Sequence, residues 1–264
     1  MPSVPFWHVD AFADRPFTGN QAAVMILDEW LDDAVLQAIG EENNFAETAF
    51  LVRDTTGVAD WELRWFTPTC EVSLCGHATL ASGHIVLGRE PGRDVVMFRT
   101  RKSGVLTVRR AGESLEVGLP AIPVEPSGFP EAVALLGAEP LETWRSPDGY
   151  NVMLYPDEAT VRGLTPDLRA LGTLGDHQFI CTAPGAETDV VSRVFVPGGG
   201  IDEDSVTGSA HAVLSAFWTP RLGRPNFTAF QASRRGGYLG CRLDGEMAWL
   251  TGDCVTLVKG EFAF

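Results

Sequence analysis

Three observations predict an α+β chain of two pseudo-symmetric domains, each a curved and mostly antiparallel sheet wrapped around a central buried helix. The first is a repeated block. Residues 73–80 read SLCGHATL and residues 204–211 read DSVTGSAH, with Ser73 matching Ser205, Cys75 matching Thr207, Gly76 matching Gly208 and Ala78 matching Ala210. The offset is constant and equals half of the 264 residues. The second is the strand-like stretch ahead of each block: RWFTP at 64–68 is echoed by RVFVP at 193–197, with a spacer three residues longer in the second copy. The third is the apolar run after each glycine. ATLASGHIVL and AVLSAFW contain no acid, lysine or arginine, so each predicts a helix buried on all sides rather than along one stripe.

In chain order, apolar and β-branched runs bounded by turn residues predict strands at 5–12, 21–27, 48–53, 61–67, 94–100, 104–110 and 114–119. The second half repeats the style at 150–155, 177–183, 191–196, 227–231, 237–243, 246–251 and 254–259. RKSG, RAGES, SPDGY and LDGEM are hairpin connectors of an antiparallel sheet. Helices are expected at 31–42, 76–88, 129–137, 158–171 and 208–219. The Pro-rich LPAIPVEPSGFP at 119–130 reads as a linker. The domains are therefore expected at 1–118 and 131–264, with the last strand free to return to the first.

Composition narrows the function. The chain is 45% hydrophobic and 21% charged, a soluble globular balance. The start, MPSVPFWHVD, lacks the basic leader and apolar core of a signal peptide, and no run approaches the ~20 apolar residues of a membrane span. Five cysteines without metal-ligand spacing are expected to be reduced thiols in a cytoplasm. The formal net charge of −15 excludes the basic face that nucleic acid requires.

Hydroxyl residues and an acid ahead of a helix are ordinary N-caps. A second reading is chemical. Unpaired N–H groups and the positive end of the helix dipole make each glycine turn an anion site. Were the two turns to face one cleft, Gly76 and Gly208 would hold a small carboxylate without lysine or arginine and would stabilise charge developing beside it.

Few groups could move a proton there. Glu47, in NNFAETAF, sits at the start of a strand among small and apolar neighbours. Desolvation would raise its pKa toward the range of general acid–base work, and the alternative is a strand-edge glutamate facing water. His77 follows the first glycine and Asp204 precedes the second; the alternative for His77 is a capping or satisfied core histidine, and for Asp204 the N-cap itself. His211, one turn into the second helix, reads as packed.

VDAFADRPFTGNQAAV at 9–24, NNFAETAFL at 43–51, RWFTPTCEVSLCGHATLAS at 64–82 and DEDSVTGSAH at 202–211 together resemble the PhzF-like isomerases of phenazine biosynthesis, and the resemblance runs from end to end. It implies the diaminopimelate epimerase-like fold, a homodimer, no cofactor or metal, and a proton moved within a small carboxylate-bearing substrate. It further implies Glu47 as base and then acid. His77, Asp204 and Ser209 would position polar groups of the substrate, and Asn20 would line the site or shape its turn. Three residues depart from the usual pattern: Gln21 and Ser205 stand where relatives have proline, and Ala232 stands where many have glycine. Thiol-dependent epimerases of this fold carry a cysteine at each helix start. This chain has Cys75 at one and Thr207 at the other, and a hydroxyl, far less acidic, cannot replace a thiol near ~8.5. An epimerase pairing Glu47 with Cys75, or a protein that binds a small acid without turnover, are the alternatives.

Overall fold

The computed structural model describes residues 3–264. The chain divides into two compact units, one comprising residues up to Leu119 together with Thr251–Phe264, the other Pro120–Leu250.

In the first unit, β1 (Ser3–Ala11) pairs antiparallel with β2 (Asn20–Ile26) on one side and with the C-terminal strand, Cys254–Ala263, on the other. The tight return from β1 to β2 depends on Gly19. Its φ is +66°, and a Cβ there would lie 2.3 Å from the carbonyl oxygen of Ala11. Helix α1 (Asp33–Asn43) carries the chain from β2 to a parallel β3 (Glu47–Arg53). β4 (Trp61–Phe66) runs antiparallel to β3. The far edge of β4 is shared. Its first half pairs parallel with β6 (Val95–Thr100), and its second half pairs antiparallel with the two-residue β5 (Glu71–Val72). Between β5 and β6 runs α2 (Gly76–Arg89); β7 (Val105–Ala111) and β8 (Ser114–Pro120) come next as antiparallel neighbours.

Alternation along the strands gives the sheet two apolar faces. Met25, Phe50 and Phe66 pack against Leu36 and Ile39 of α1. The intervening residues face α2, which packs on β1, β2, β3, β6 and β7 and is buried from Gly76 to Gly83 without interruption.

The second unit repeats the plan. β9 (Glu125–Pro126) and β11 (Tyr150–Leu154) flank β10 (Glu142–Arg145), and β11 is parallel to β12 (Gln178–Pro184). β13 (Val190–Val196) is antiparallel to β12 and again shares its far edge, pairing parallel with β15 (Asn226–Gln231) and antiparallel with β14 (Ile201–Asp204). The buried α6 (Gly208–Leu222) lies between β14 and β15, and β16 (Gly237–Asp244) and β17 (Met247–Gly252) complete the series. Helices α3 (Pro130–Leu136), α4 (Glu158–Gly163) and α5 (Leu168–Gly172) cover the face carrying Met153, Phe179 and Phe195.

The duplication therefore extends beyond the two glycine-turn blocks to the pairing order itself. It also reaches an arginine–glutamate fork. Arg64 grips Glu71 through Nε and Nη2 at 2.7 and 2.8 Å, and Arg193 grips Glu203 at 2.7 and 3.0 Å. Each guanidinium also lies over a phenylalanine two residues on, Phe66 or Phe195. Each fork ties the longer strand to the short one that delivers the glycine turn.

Two expectations need amendment. The single helix expected over 158–171 is two, because Pro166 lacks an N–H and disfavours helical geometry at Thr165. The 119–130 segment is more than a tether, since it contains β9 and places Phe129 in the second unit's core.

Two glycines of α2 give a paired test. A Cβ on Gly83 would meet Val108 Cγ1 at 2.4 Å and Cβ at 2.6 Å, whereas one on Gly88 meets nothing within 4 Å. Alanine gains up to ~1 kcal/mol of helix propensity at either site, and overpacking costs ~1–3 kcal/mol. Gly83→Ala should lower the urea unfolding free energy by about 1–2 kcal/mol while Gly88→Ala raises it slightly. Equal effects would show that the Val108 contact is slack.

Candidate functional site

The first unit brings four of the singled-out side chains together at the start of α2. Glu47 is the first residue of β3, beside Ala22 of β2 in the register, and so lies on the face that meets α2. His77 is the second residue of α2. Its Nε2 stands 3.0 Å from Glu47 Oε2, with side chains 4% and 13% exposed. The contact is close but off the axis of a good hydrogen bond, and neither atom has a hydrogen-bond partner elsewhere among the described residues. On the other side of the ring, Nδ1 lies 3.2 Å from the Asn20 amide and 3.5 Å from Cys75 Sγ. An amide can donate to a neutral ring or accept from a protonated one, so Asn20 serves either charge state.

Burial opposes charging His77. The Cys75 sulfur and the Glu47 carboxylate outweigh it and hold the imidazole pKa well above its ordinary value. Burial and the Glu47 charge push the Cys75 thiol up to about 11, only partly offset by His77. Cys75 is thus a neutral thiol near pH 7, where its sulfur carries no charge and the Glu47 carboxylate is the group that favours an imidazolium. Glu47, Cys75 and His77 also present one metal-ligand atom each, all within 4.8 Å of one another.

Cys75 is the residue preceding α2, in extended conformation, and makes no side-chain hydrogen bond to the first turn; Thr207 stands in the same relation to α6. The capping reading fails at both. Thr207 turns its hydroxyl back to Asp204 Oδ2 at 2.5 Å. Gln231 braces that turn, donating to the Asp204 carbonyl at 2.7 Å and accepting from the Thr207 N–H at 2.8 Å. His211 bonds the Thr207 carbonyl through Nδ1 at 2.8 Å, and burial lowers its pKa to about 4. It is a structural group, as its position in the sequence suggested.

Ser209 is the counterpart of His77. Its hydroxyl lies 3.4 Å from the side-chain amide nitrogen of Gln178, the first residue of β12, and it faces Tyr150, the first residue of β11. Glu47, Cys75 and His77 in the first unit thus correspond to Gln178, Thr207 and Ser209 in the second, and Tyr150, opposite Gln178, stands where Ala22 stands opposite Glu47. One copy of the duplicated site holds the titrating groups and the other holds neutral ones. Tyr150 and Gln178 were not singled out from the sequence, and the offset between the glycine turns, carried from Glu47, lands on Phe179, one residue past Gln178.

Known proteins share this fold. The sequence profile of the phenazine biosynthesis-like proteins matches residues 9–260. The chain belongs to that family. An uncharacterized isomerase of Pseudomonas aeruginosa is 45% identical over 97% of both chains. The crystal structure of a PhzF-family protein from Enterococcus faecalis superposes with a TM-score of 0.91 at 40% identity, covering 100% of both chains. A hydroxyproline epimerase from Agrobacterium vitis, at 12% identity, 98% and 92% coverage and a TM-score of 0.64, shares the fold. The protein is accordingly a PhzF-like isomerase with an epimerase-like α+β fold. Among the described residues no helix is long and apolar enough to cross a membrane.

The raised pKa of His77 predicts a pH signature. An unfolded histidine titrates near ~6.5, so the charged pair stabilises the folded state fully below that pH. The contribution is lost as pH rises through the higher folded value. Urea midpoints between pH 6 and 9 should fall for the parent and change less for His77→Asn. Parallel profiles would mean that His77 is neutral in the folded protein.

Proposed function

We propose that this isomerase moves a proton within a small carboxylate-bearing metabolite without a cofactor, using Glu47 as base and then acid. The observation that supports this most directly is the Glu47 carboxylate oxygen Oε2. It is buried, in contact with the His77 imidazole at 3.0 Å and without a hydrogen-bond partner among the described residues. A carboxylate so placed can take a proton from carbon next to the substrate's carboxylate and return it at another position of the same molecule. Only the proton moves, so the product is an isomer. His77, charged, faces the negative charge that develops when the proton leaves. The first turn of α2, uncapped by Cys75, offers N–H groups to the substrate carboxylate. Such a contact is short in range, and salt should weaken it only modestly.

An epimerase pairing Glu47 with Cys75 is the second reading. A thiol pushed up to about 11 is a poor base at neutral pH, which favours the glutamate mechanism.

Solvent-deuterium incorporation into a panel of small carboxylic acids separates these readings. Loss of a positioned general base costs ~100- to 10,000-fold, so Glu47→Gln should nearly abolish exchange while the folded state persists. Cys75→Ser should retain most activity. The reverse pattern would establish the thiol mechanism, and no incorporation by the parent into any acid would leave a binding protein.

A further inference from the structure

We infer that Glu47, Cys75 and His77 form a binding site for a thiophilic divalent cation of the zinc type, and that such an ion inhibits the enzyme. The same side chains serve the proposed proton transfer, but metal binding there does not depend on that role.

The donor set is one carboxylate oxygen, one sulfur and one imidazole nitrogen, all within 4.8 Å of one another. A tetrahedral zinc ion with bonds of ~2.0–2.3 Å separates its ligand atoms by ~3.3–3.5 Å. Oε2 and Nε2 already stand 3.0 Å apart, close to one edge of that tetrahedron. Cys75 Sγ lies 3.5 Å from the other ring nitrogen, so coordination at Nε2 requires the thiol to rotate to the Glu47 side of the ring, within the 4.8 Å that the three donors span. Two of the three donor atoms, Glu47 Oε2 and His77 Nε2, are buried and make no hydrogen bond among the described residues. Buried polar atoms normally have a partner, and a cation would supply one to both.

Charge supports the same ligand. A divalent ion held by a carboxylate, a thiolate and a neutral imidazole gives a net neutral cluster, as buried sites require. The thiol and imidazolium protons leave to solvent as the coordinate bonds form. Thiolate and imidazole together select zinc-like ions over magnesium. The ion would occupy the space through which Glu47 reaches a substrate proton, which makes it an inhibitor and not a cofactor.

Calorimetric titration of zinc chloride into the full chain tests this without substrate. Exposed Cys70 is removed by Cys70→Ser to limit adventitious binding. One tight equivalent is expected, unaffected by excess magnesium and weakened at least ~100-fold by Cys75→Ala and by Glu47→Gln. Cobalt in place of zinc should give a thiolate charge-transfer band that Cys75→Ala abolishes, with circular dichroism confirming that each variant is folded. Zinc that binds Cys75→Ala as tightly as the parent, or cobalt that shows no thiolate band, would overturn the site. The deuterium-exchange assay then reads inhibition separately, so failure of the metal site and failure of the glutamate mechanism give different results.

Discussion

A helix buried on every side can meet a ligand only at its ends. Both α2 and α6 are in that position, since their apolar lengths are enclosed by sheet and neighbouring elements. The start of a helix is where free N–H groups and the positive end of the dipole lie, so the fold leaves one kind of place for chemistry and gives it an electrostatic character in advance. Everything around the glycine turns answers to that constraint. The Arg64–Glu71 and Arg193–Glu203 forks hold the approach to each turn. In the second unit, Gln231 fixes the turn through its backbone as well.

The two units solve the same geometric problem with different chemistry. A carboxylate, an imidazole and a thiol in one are replaced by a carboxamide and two hydroxyls in the other, at matching places in the strand pairings. Duplication fixed the scaffold, and substitution at a handful of strand-start and helix-start positions decided which copy carries charge. A mechanism with one acid–base group is consistent with that asymmetry, whereas a two-thiol mechanism would require the symmetry to be kept at positions 75 and 207.

Much of this was legible in the sequence because the signals were local. Glycine leading into a charge-free apolar run marked both buried helices, and the hairpin connectors marked most of the longer strands. The elements that escaped notice, β5, β9, β10 and β14, are two to four residues long, too short for alternation to register. Pro166 was visible, yet the apolar spacing around it suggested continuity. At the site, Glu47 and His77 could be named, but their contact depends on the parallel register of β2 and β3, and the Asn20 contact joins residues 57 apart. Gln178 lay further out of reach, because only strand pairing equates it with Glu47.

The strand Cys254–Ala263 pairs with β1 along its full length, from Ala11 opposite Cys254 to Ser3 opposite Ala263. Those ten residues are translated only after every residue of the second unit. On the ribosome, the usual order of N-terminal structure first is therefore partly inverted. The second unit can reach its complete set of strands while the first still waits with one flank of β1 unpaired. That exposed flank must be kept from other chains until the closing strand arrives, and the interval is set by the time taken to synthesise the second unit and the strand itself.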